Sequence, residues 1–413
     1  MQATMNESSL ATRRWPAEGF TRIPYWVYTD PELYARELDM FFYGPTWNYV
    51  GLSCEVPNPG DYKRHWIGER NVVMVRDKDG SVSVLENRCA HKGSQVVWAE
   101  RGNAQDLTCP YHQWCFSLKG DLVGLPLKRG VQGKGGMPSD FDNKQHGMNR
   151  LQVTERNGIV WASFSPEVPS FEAYTERMLP SIDRLFSGRP LKLLGYQRQM
   201  LRCNWKMYME NLKDPYHATL LHTFYITFGL WRADNRSSMS TANQGRHGIM
   251  VSENTGKKTS EATEHLTRFD HDLTLEDMSL VTPIREFEDG RIEGGTMHPS
   301  VVLQQQANSL AVRHVIPRGT DATELVWTFF GFADDGDEIT LRRVKHANLV
   351  GPAGLVSIDD SEVLKQCQAA ARGYPHRISV IEMGGRDTEP ADHMLTENQI
   401  RDFYSYYRKA MGL

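Results

Sequence analysis

The chain has 413 residues, of which 40% are hydrophobic and 24% are charged, and its formal net charge is -4. These proportions are those of a globular protein that is long enough for two or three domains. The mildly acidic balance argues against binding to nucleic acid or to a membrane surface. No apolar run is long enough to span a bilayer, and the first residues form no apolar signal segment, so we expect a cytoplasmic protein.

The first third of the chain is predicted to be rich in β-strands. The runs NVVMVRD and SVSVLEN flank the turn residues KDG, and LQVTERNGIVWASFS carries an NG pair near its centre. Short β-branched runs around such turn residues are typical of β-hairpins. We therefore expect a small β domain over residues 45–165.

Two short clusters of cysteine and histidine lie between these hairpins. CAHKG supplies Cys89 and His91, and CPYH supplies Cys109 and His112. Two cysteines and two histidines can hold either a structural zinc ion or a Rieske-type [2Fe–2S] cluster. Zinc fingers pair one C-x-x-C with one H-x-x-x-H, whereas here each segment mixes one cysteine with one histidine. The arrangement therefore favours a two-iron cluster held by two loops.

The pattern changes after residue 166. FEAYTERMLPSIDRLF and NWKMYMENLKDPYHATLLHTF have helical periodicity, the second being interrupted by Pro215. Residues 232–295 are polar and irregular, and we expect them to form a surface excursion or a lid. SVVLQQQANSLAVRHVIP and ELVWTFFGFAD are predicted strands, and a last helix is predicted near the end of the chain. We expect residues 1–44 and 166–413 to form one larger α+β domain.

The segment NLKDPYHATLLH contains a second set of metal ligands, His217 and His222, together with Asp214. Two histidines and a distant carboxylate form the facial triad of non-haem iron oxygenases. The two histidines diverge by about 140° on a regular helix, so both reach one metal only if the helix is kinked, bulged or ends there. Asp359 and Asp360 follow a Gly/Pro turn, and we expect one to cap a helix and the other to face the metal. These residues alone do not decide between them.

Together the three motifs resemble the large (α) subunit of Rieske-type non-haem iron aromatic-ring-hydroxylating oxygenases, over essentially the whole chain. The resemblance implies an α+β fold. A small all-β Rieske [2Fe–2S] domain is inserted near the N-terminus of a larger helix-grip, START-like catalytic domain that combines an antiparallel sheet with helices. It also implies one [2Fe–2S] cluster bound by Cys89, His91, Cys109 and His112, and one mononuclear Fe(II) bound by His217, His222 and Asp360.

The resemblance gives Asp214 a different role from that of a ligand. It implies that Asp214 bridges two metal centres across a subunit interface, between His112 of one chain and His217 of the next, in a head-to-tail trimer. It further implies that electrons come from NAD(P)H through a separate reductase or ferredoxin. A small β subunit, in an α3β3 assembly, is implied in the same way.

Several segments, among them FGLWRADN and VIEMGG, resemble members that act on aromatic carboxylates such as salicylate, anthranilate and terephthalate. A carboxylate in an apolar pocket needs a cation, and Arg313 lies within an apolar strand. The alternative is a structural arginine paired with a buried acid. Gln304, Gln306 and Asn308 differ from Arg313 in parity, so a bulge would be needed for all four to face one pocket.

The resulting expectation is a terminal oxygenase that hydroxylates the ring of a salicylate- or anthranilate-like carboxylate with O2, as a monooxygenase or a dioxygenase. The alternative within this class is a 1,2-dioxygenase that acts on terephthalate or another benzoate. Outside this class, the alternatives are a Rieske protein that only carries electrons and a zinc-stabilised binding module.

Overall fold

The computed structural model describes residues 13–228, 230–253 and 273–413. The chain divides into a smaller unit, Met40–Phe171, and a larger unit that combines Met1–Asp39 with Glu172–Leu413. The range 45–165 expected for the β domain falls inside the smaller unit. Among the described residues, no helix is both long enough and apolar enough to cross a membrane.

The chain begins in the larger unit with one strand and one helix, β1 (Arg22–Pro24) and α1 (Pro31–Glu37). The side chain of Asp30 accepts hydrogen bonds from the backbone amides of the first turn of α1, and Pro31 occupies the first helical position. Both features stabilise a helix start, because they satisfy or remove amides that have no partner within the helix.

The smaller unit is built from short antiparallel strands. They are β2 (Asn48–Leu52), β3 (Asp61–Ile67), β4 (Arg70–Arg76), β5 (Val82–Glu86), β6 (Arg101–Asn103), β7 (Leu107–Thr108), β8 (Cys115–Phe116), β9 (Leu122–Gly124), β10 (Gln152–Arg156) and β11 (Ile159–Ser163). Their order within the sheets is β5-β4-β3-β6, β10-β11-β2 and β7-β8-β9. The two predicted hairpins are confirmed as β4–β5 and β10–β11. The second turns at Asn157 and Gly158, which both have positive φ, as a two-residue hairpin turn requires.

The larger unit contains a seven-stranded antiparallel sheet in the order β12-β18-β17-β16-β15-β14-β13. Its strands are β12 (Leu191–Leu201), β13 (Arg236–Ala242), β14 (His247–Glu253), β15 (Arg291–Met297), β16 (Val301–Gln306), β17 (Ser309–Pro317) and β18 (Thr323–Phe332). A short strand, β19 (Ile378–Val380), pairs with β1. The helices are α2 (Phe171–Thr175), α3 (Leu179–Phe186), α4 (Trp205–Asn211), α5 (Ala218–Leu221), α6 (Thr223–Thr227), α7 (Asp337–Val350), α8 (Ser357–Gly373) and α9 (Asn398–Met411).

The expectation that residues 232–295 form an irregular surface excursion or lid is wrong for the parts of that range that form strands. Strands β13 and β14 lie entirely within it, and β15 begins within it. In β13 the residues Ser237, Met239 and Thr241 are buried and alternate with more exposed neighbours. Two of these buried positions carry small hydroxyl side chains. The alternation of apolar and polar residues that is typical of a strand is therefore not visible in the sequence of β13. Residues 254–272 lie outside the described residues.

Helices pack along this sheet and bring distant segments together. Helix α3 packs against β15 and β16, α7 packs against β17 and β18, and α9 packs against β13. Helix α4 packs against both β17 and α8. This last contact brings the chain that follows α4 close to the beginning of α8, although the two segments are far apart in sequence.

Candidate metal centres and substrate cavity

The two Cys/His segments of the smaller unit form loops with the same backbone pattern. The amides of Cys89 and Cys109 each donate to the carbonyl five residues later, at 2.8 Å in both loops. The carbonyl of each cysteine accepts from the amide four residues later, at Gly93 (2.9 Å) and at Gln113 (3.0 Å). Both of these residues have positive φ, +75° and +57° respectively. The two loops are therefore tight turns of one kind.

These turns arrange four side chains as two pairs. Cys89 and Cys109 are buried, and the pKa of the Cys89 thiol is raised by burial and by the neighbouring Cys109 thiol. His91 and His112 are exposed, with their Nδ1 atoms 3.2 Å apart. The ring of His91 stacks on Trp114, with the ring centroids 5.0 Å apart. Two adjacent thiols on the buried side and two converging imidazoles on the exposed side fit a [2Fe–2S] cluster with unlike ligands on its two irons.

The first two candidate iron ligands lie where helical structure breaks. Helices α5 and α6 are separated only by His222, whose φ of −82° and ψ of 80° are not helical. His217 directly precedes α5. The predicted irregularity is confirmed, and it brings the two imidazole centroids to 5.3 Å.

The third candidate ligand, Asp360, comes from the first turn of α8. Its Oδ1 atom lies 3.4 Å from Nε2 of His217 and 3.3 Å from Nε2 of His222. One ligand atom from each of the three side chains lies within 4.8 Å of the others. Two imidazoles and one carboxylate are the ligand set of a facial triad, which leaves further metal positions open for O2 and substrate.

The electrostatics of this cluster favour a cation. Burial opposes a charge on His217, but hydrogen bonds and charge from Asp214 and Asp360 raise the pKa of His217 to about 10. Burial raises the pKa of Asp360, yet the two histidines outweigh it and hold that pKa well below its usual range. The cluster therefore stabilises positive charge between its members, and a divalent metal can take the place of the proton.

Each imidazole also has an oxygen atom at its other nitrogen. Nδ1 of His222 lies 3.2 Å from Oδ2 of Asp359. Nδ1 of His217 contacts the backbone carbonyl of Asp214, and the Asp214 carboxylate is 3.8 Å away. Metal-bound histidines are commonly oriented in this way, because the second ring nitrogen donates to a carboxylate or carbonyl.

The expected helix cap at Asp359 or Asp360 is wrong. The N-cap residue of α8 is Val356, and no side chain forms the cap hydrogen bond. Both aspartates lie within the first turn, where one contacts His222 from one side and the other contacts both histidines. Acidic residues in a first turn still interact favourably with the helix dipole.

Asn211, the last residue of α4, also belongs to this site. Its Nδ2 atom donates to Oδ1 of Asp360 (3.2 Å) and lies 3.3 Å from Nε2 of His217. Its Oδ1 atom is buried and has no hydrogen-bond partner among the described residues. A buried amide oxygen without a partner beside three ligand atoms is consistent with a bound ion or water there.

A cavity opens beside the cluster. Its lining combines apolar and aromatic side chains with a set of polar ones, which includes the candidate ligands, the glutamines of β16, Arg313 and Glu293. The lining residues include His217, His222, Asp360, Asn211, Leu212, Tyr225, Trp231, Met250, Ile292, Val302, Leu303, Gln304, Gln306, Arg313 and Val356. Arg313 and the three candidate ligands therefore border one space, and such a space suits a ring with one anionic substituent.

Arg313 is held by neutral groups. Its Nη1 donates to the Tyr208 hydroxyl (3.1 Å), its Nη2 donates to Oε1 of Gln304, and its guanidinium lies 3.9 Å from the ring centroid of Trp327. Its Nε is buried without a hydrogen-bond partner in the described parts of the chain. The alternative of a structural arginine requires a buried acid, and no described carboxylate lies within 4.0 Å of this guanidinium.

Gln304, Gln306, Asn308 and Arg313 were expected to need a bulge in order to face one pocket, but Gln304 and Gln306 share the face of Arg313 without one, and Asn308 does not join them. A two-residue turn joins β16 to β17, so Gln306 pairs with Ser309 and Val302 pairs with Arg313. Even positions on β16 therefore share a face with odd positions on β17. Asn308 lies in the turn, where its side chain donates to the carbonyls of Leu280 and Thr282 rather than entering the cavity.

Two residues of the site, Asn211 and Tyr225, were not predicted from the sequence, and Asp359 was considered as a helix cap or a metal ligand but not as the partner of His222. Asn211 is the first residue of the segment NLKDPYHATLLH, and Tyr225 lies three positions after His222. Residues three apart share a helix face, so the spacing could have indicated Tyr225. Its hydroxyl accepts from Nε2 of Gln306, and this contact across elements has no signal in the sequence.

The comparisons with known proteins agree with this geometry. Residues 46–134 match the Rieske [2Fe-2S] domain family, and residues 171–413 match the catalytic domain of the ring-hydroxylating alpha subunit. The chain is 48% identical to the salicylate 5-hydroxylase large oxygenase component of Ralstonia sp., over 97% of this chain and 96% of that protein. It is 43% identical to the anthranilate 1,2-dioxygenase large subunit of Burkholderia cepacia, over 96% of this chain and 95% of that protein.

The fold is shared with solved oxygenases. The structure of naphthalene 1,2-dioxygenase from Rhodococcus sp. bound to indole matches with a TM-score of 0.78 and 22% identity, covering 94% of both chains. The predicted fold class is confirmed, and an oxygenase replaces the alternatives of a pure electron carrier and a zinc module. The chain belongs to the alpha subunits of the ring-hydroxylating oxygenases, with a Rieske [2Fe–2S] domain followed by a catalytic domain that binds mononuclear iron.

Proposed function

We propose that this chain is the large subunit of a terminal oxygenase that hydroxylates the ring of an aromatic carboxylate, salicylate- or anthranilate-like, with O2. The observation that carries the proposal is Arg313, a cation without a carboxylate partner among the described residues, in the cavity that borders His217, His222 and Asp360. A half-buried cation whose Nε atom has no hydrogen-bond partner among the described residues favours an anionic ligand, which restores neutrality. Two relatives that are 48% and 43% identical are named for salicylate and anthranilate.

The proposed assignment places the cluster on Cys89, His91, Cys109 and His112, in a domain over residues 45–165. It places the iron on His217, His222 and Asp360, in a domain over residues 1–44 and 166–413. When bound, the cluster supplies single electrons and the iron supplies O2 activation.

The chain's own residues supply position and exclusion of water. Arg313 fixes the carboxylate end of the ring, and apolar side chains such as Trp231 and Ile292 surround the cavity. Asp359 and Asp214 hold the two imidazoles with their Nε2 atoms toward Asp360. The ring is thereby presented to the metal in a fixed orientation, which is the main contribution of a protein to cofactor chemistry.

Asp214 is proposed to bridge the cluster of one subunit and the iron of the next in a trimer, through His112 of one chain and His217 of the other. Support within one chain is its contact with His217 and its place on a second cavity that this histidine also borders. We further propose an NAD(P)H-dependent reductase, with or without a ferredoxin, and a small β subunit in an α3β3 assembly. No disulfide joins the six cysteines, which supports the proposal of a cytoplasmic protein.

Terephthalate is the second candidate substrate, because a relative named for terephthalate is 38% identical over 97% of this chain. A dicarboxylate needs a second cation at the far end of the cavity. Of the described residues that line this cavity, Arg313 alone is an arginine or lysine. The lining therefore favours a monocarboxylate.

The test measures O2 uptake and product formation by the reduced holoenzyme with salicylate, anthranilate, benzoate, terephthalate and uncharged toluene. We expect coupled hydroxylation of a monocarboxylate, and for Arg313→Gln an increase in KM of about 10- to 100-fold, as expected for a lost charged hydrogen bond. Arg318→Gln, which removes a pairing with Glu324 outside this cavity, is the matched control. Efficient turnover of toluene alone, or an unchanged KM in Arg313→Gln, would contradict the proposal.

A further inference from the structure

A chain of hydrogen bonds runs along the wall of the substrate cavity. Nη2 of Arg313 contacts Oε1 of Gln304, Nε2 of Gln304 donates to Oε1 of Gln306 (2.6 Å), and Nε2 of Gln306 contacts the hydroxyl of Tyr225. All four side chains line the cavity. The chain thus joins the cation proposed to bind the carboxylate to a tyrosine beside the iron site.

Arginine determines the direction of this chain. A guanidinium has only donors, so the atom of Gln304 that faces it must be the amide oxygen. The amide nitrogen of Gln304 must then be the atom that faces Gln306, which in turn presents its oxygen to Gln304 and its nitrogen to Tyr225. The orientation of both glutamine amides therefore follows from the donors of the guanidinium.

The Tyr225 hydroxyl consequently accepts from Gln306 and must direct its own proton elsewhere. No acceptor for this proton is found among the described residues, and the hydroxyl lies on a side chain that borders the cavity. A tyrosine hydroxyl ordinarily keeps its proton at neutral pH. The ring of Tyr225 also stands edge-on to His222, with the centroids 5.7 Å apart. Tyr225 therefore offers a hydrogen-bond donor to a ligand held near the iron ligands.

We propose that Tyr225 is a specificity-determining residue that donates a hydrogen bond to an acceptor substituent beside the carboxylate of the substrate, so that the site prefers an ortho-hydroxyl group to an ortho-amino group. This inference rests on the proposed function and names the substrate class within it. Gln306 is the positioning residue, because its amide fixes the polarity of the hydroxyl.

The two candidate substrates differ in the polarity that they present. In salicylate the hydroxyl proton is shared with the adjacent carboxylate, so the outward side of the oxygen carries lone pairs. In anthranilate one N–H is shared in the same way, and the outward side carries the second N–H. A donor on the protein therefore matches the hydroxyl oxygen of salicylate. With anthranilate, the same donor faces a second donor, the outward N–H. A binding site discriminates strongly against an analogue that leaves a buried polar group of the site without a hydrogen-bond partner.

Two variants test the polarity from opposite directions. Tyr225→Phe removes the donor. Gln306→Glu replaces the donating nitrogen with an oxygen, so the hydroxyl of Tyr225 must donate to Glu and turn a lone pair toward the cavity. The matched controls are Tyr374→Phe and Gln366→Glu, which make the same chemical changes at exposed positions on or next to α8.

The measurement is a competition in one vessel. Reduced holoenzyme that contains cluster and iron is mixed with O2 and equal concentrations of salicylate, anthranilate and benzoate, and the three hydroxylated products are quantified. The product ratios report relative kcat/KM values and cancel differences in uncoupling and in electron supply. Iron content and the visible spectrum of each variant show that it is folded and loaded.

The expected result for the wild type is a higher ratio of salicylate to benzoate product than of anthranilate to benzoate product. Tyr225→Phe should lower the salicylate ratio about tenfold, as for a lost hydrogen bond, and Gln306→Glu should raise the anthranilate ratio relative to salicylate. Turnover with ratios unchanged in both loaded variants overturns the inference alone. Loaded wild-type enzyme that hydroxylates none of the three carboxylates overturns the proposed function, and this inference with it.

Discussion

The two candidate metal sites of this chain are built in different ways. The cluster site uses two loops of one backbone pattern in the smaller unit, with exposed histidines and all four ligands within a short stretch of sequence. The iron site lies in the larger unit, where a broken helix and the first turn of α8 bring together His217, His222 and Asp360. The first site is determined by local turns, whereas the second depends on packing between segments far apart in sequence.

The largest effects are expected from substitutions that each remove one metal centre and leave the other in place. His217→Ala should remove the mononuclear iron and abolish oxygenation, while the cluster spectrum is retained, because the two sites share no ligand. Cys109→Ser should remove the cluster spectrum instead. Iron and acid-labile sulfide counts check both, with about three irons and two sulfides expected in the wild type.

These two variants also test the assignment itself. Loss of the visible spectrum in a folded His217→Ala protein would show that the sites depend on each other for assembly. Retention of three irons in that protein would show that His217 is not a ligand. Circular dichroism on both variants separates these outcomes from a failure to fold.

A smaller effect is expected from the carboxylate that contacts His222. Asp359→Ala removes the acceptor at Nδ1 of His222, and loss of such a partner typically lowers metal affinity by about 10- to 100-fold. Asp359→Asn should restore part of the affinity, because the amide oxygen can still accept. Iron(II) titration of the apo protein measures both variants, and Glu362→Ala, at an exposed position of α8, is the matched control. Equal affinities for Asp359→Ala and the control would exclude this role.

The contrast between local turns and packing of distant segments also explains which features could be predicted from the sequence. The loops of Cys89 and Cys109 and the NG hairpin follow from neighbouring residues, so their signals are complete within a few positions. The break at His222 was also predictable, because five-residue spacing is incompatible with a regular helix and a shared metal. Asn211, Tyr225 and the contact of Asp359 with His222 were missed because these contacts join separate elements. Strand β13 was missed because small polar residues such as Ser237 occupy buried positions in the sheet.

A buried lysine, Lys213, lies in the segment that supplies the two histidines of the iron site. The ammonium of Lys213 is 1% exposed and donates to Oγ1 of Thr296 (2.6 Å), and no described carboxylate lies within 4.0 Å of it. Burial lowers the pKa of Lys213 from 10.5 to about 7. Between about pH 7 and pH 10.5, Lys213 is protonated in the unfolded chain and largely neutral in the folded one. The free energy of unfolding should therefore rise with pH across this range.

Lys213→Met should therefore be more stable than the wild type at pH 7 and below, and the difference should shrink as the pH approaches 10.5. The Tm of both proteins, measured from pH 6 to pH 10 at constant ionic strength, checks this expectation. A difference in Tm that does not change with pH would mean that Lys213 acts through packing and its contact with Thr296 alone.

The smallest effect concerns the equivalence of the two cluster loops. Gly93 and Gln113 occupy the same turn position with positive φ, but only the first is a glycine. A Cβ added at Gly93 meets no atom closer than 4.0 Å, so Gly93→Ala introduces backbone strain of about 1 kcal/mol and no clash. Gln113→Ala should cost almost nothing, because Gln113 already has a Cβ in that conformation. Bleaching of the cluster on heating measures both, and equal losses would show that side-chain contacts rather than the shared turn limit the stability of these loops.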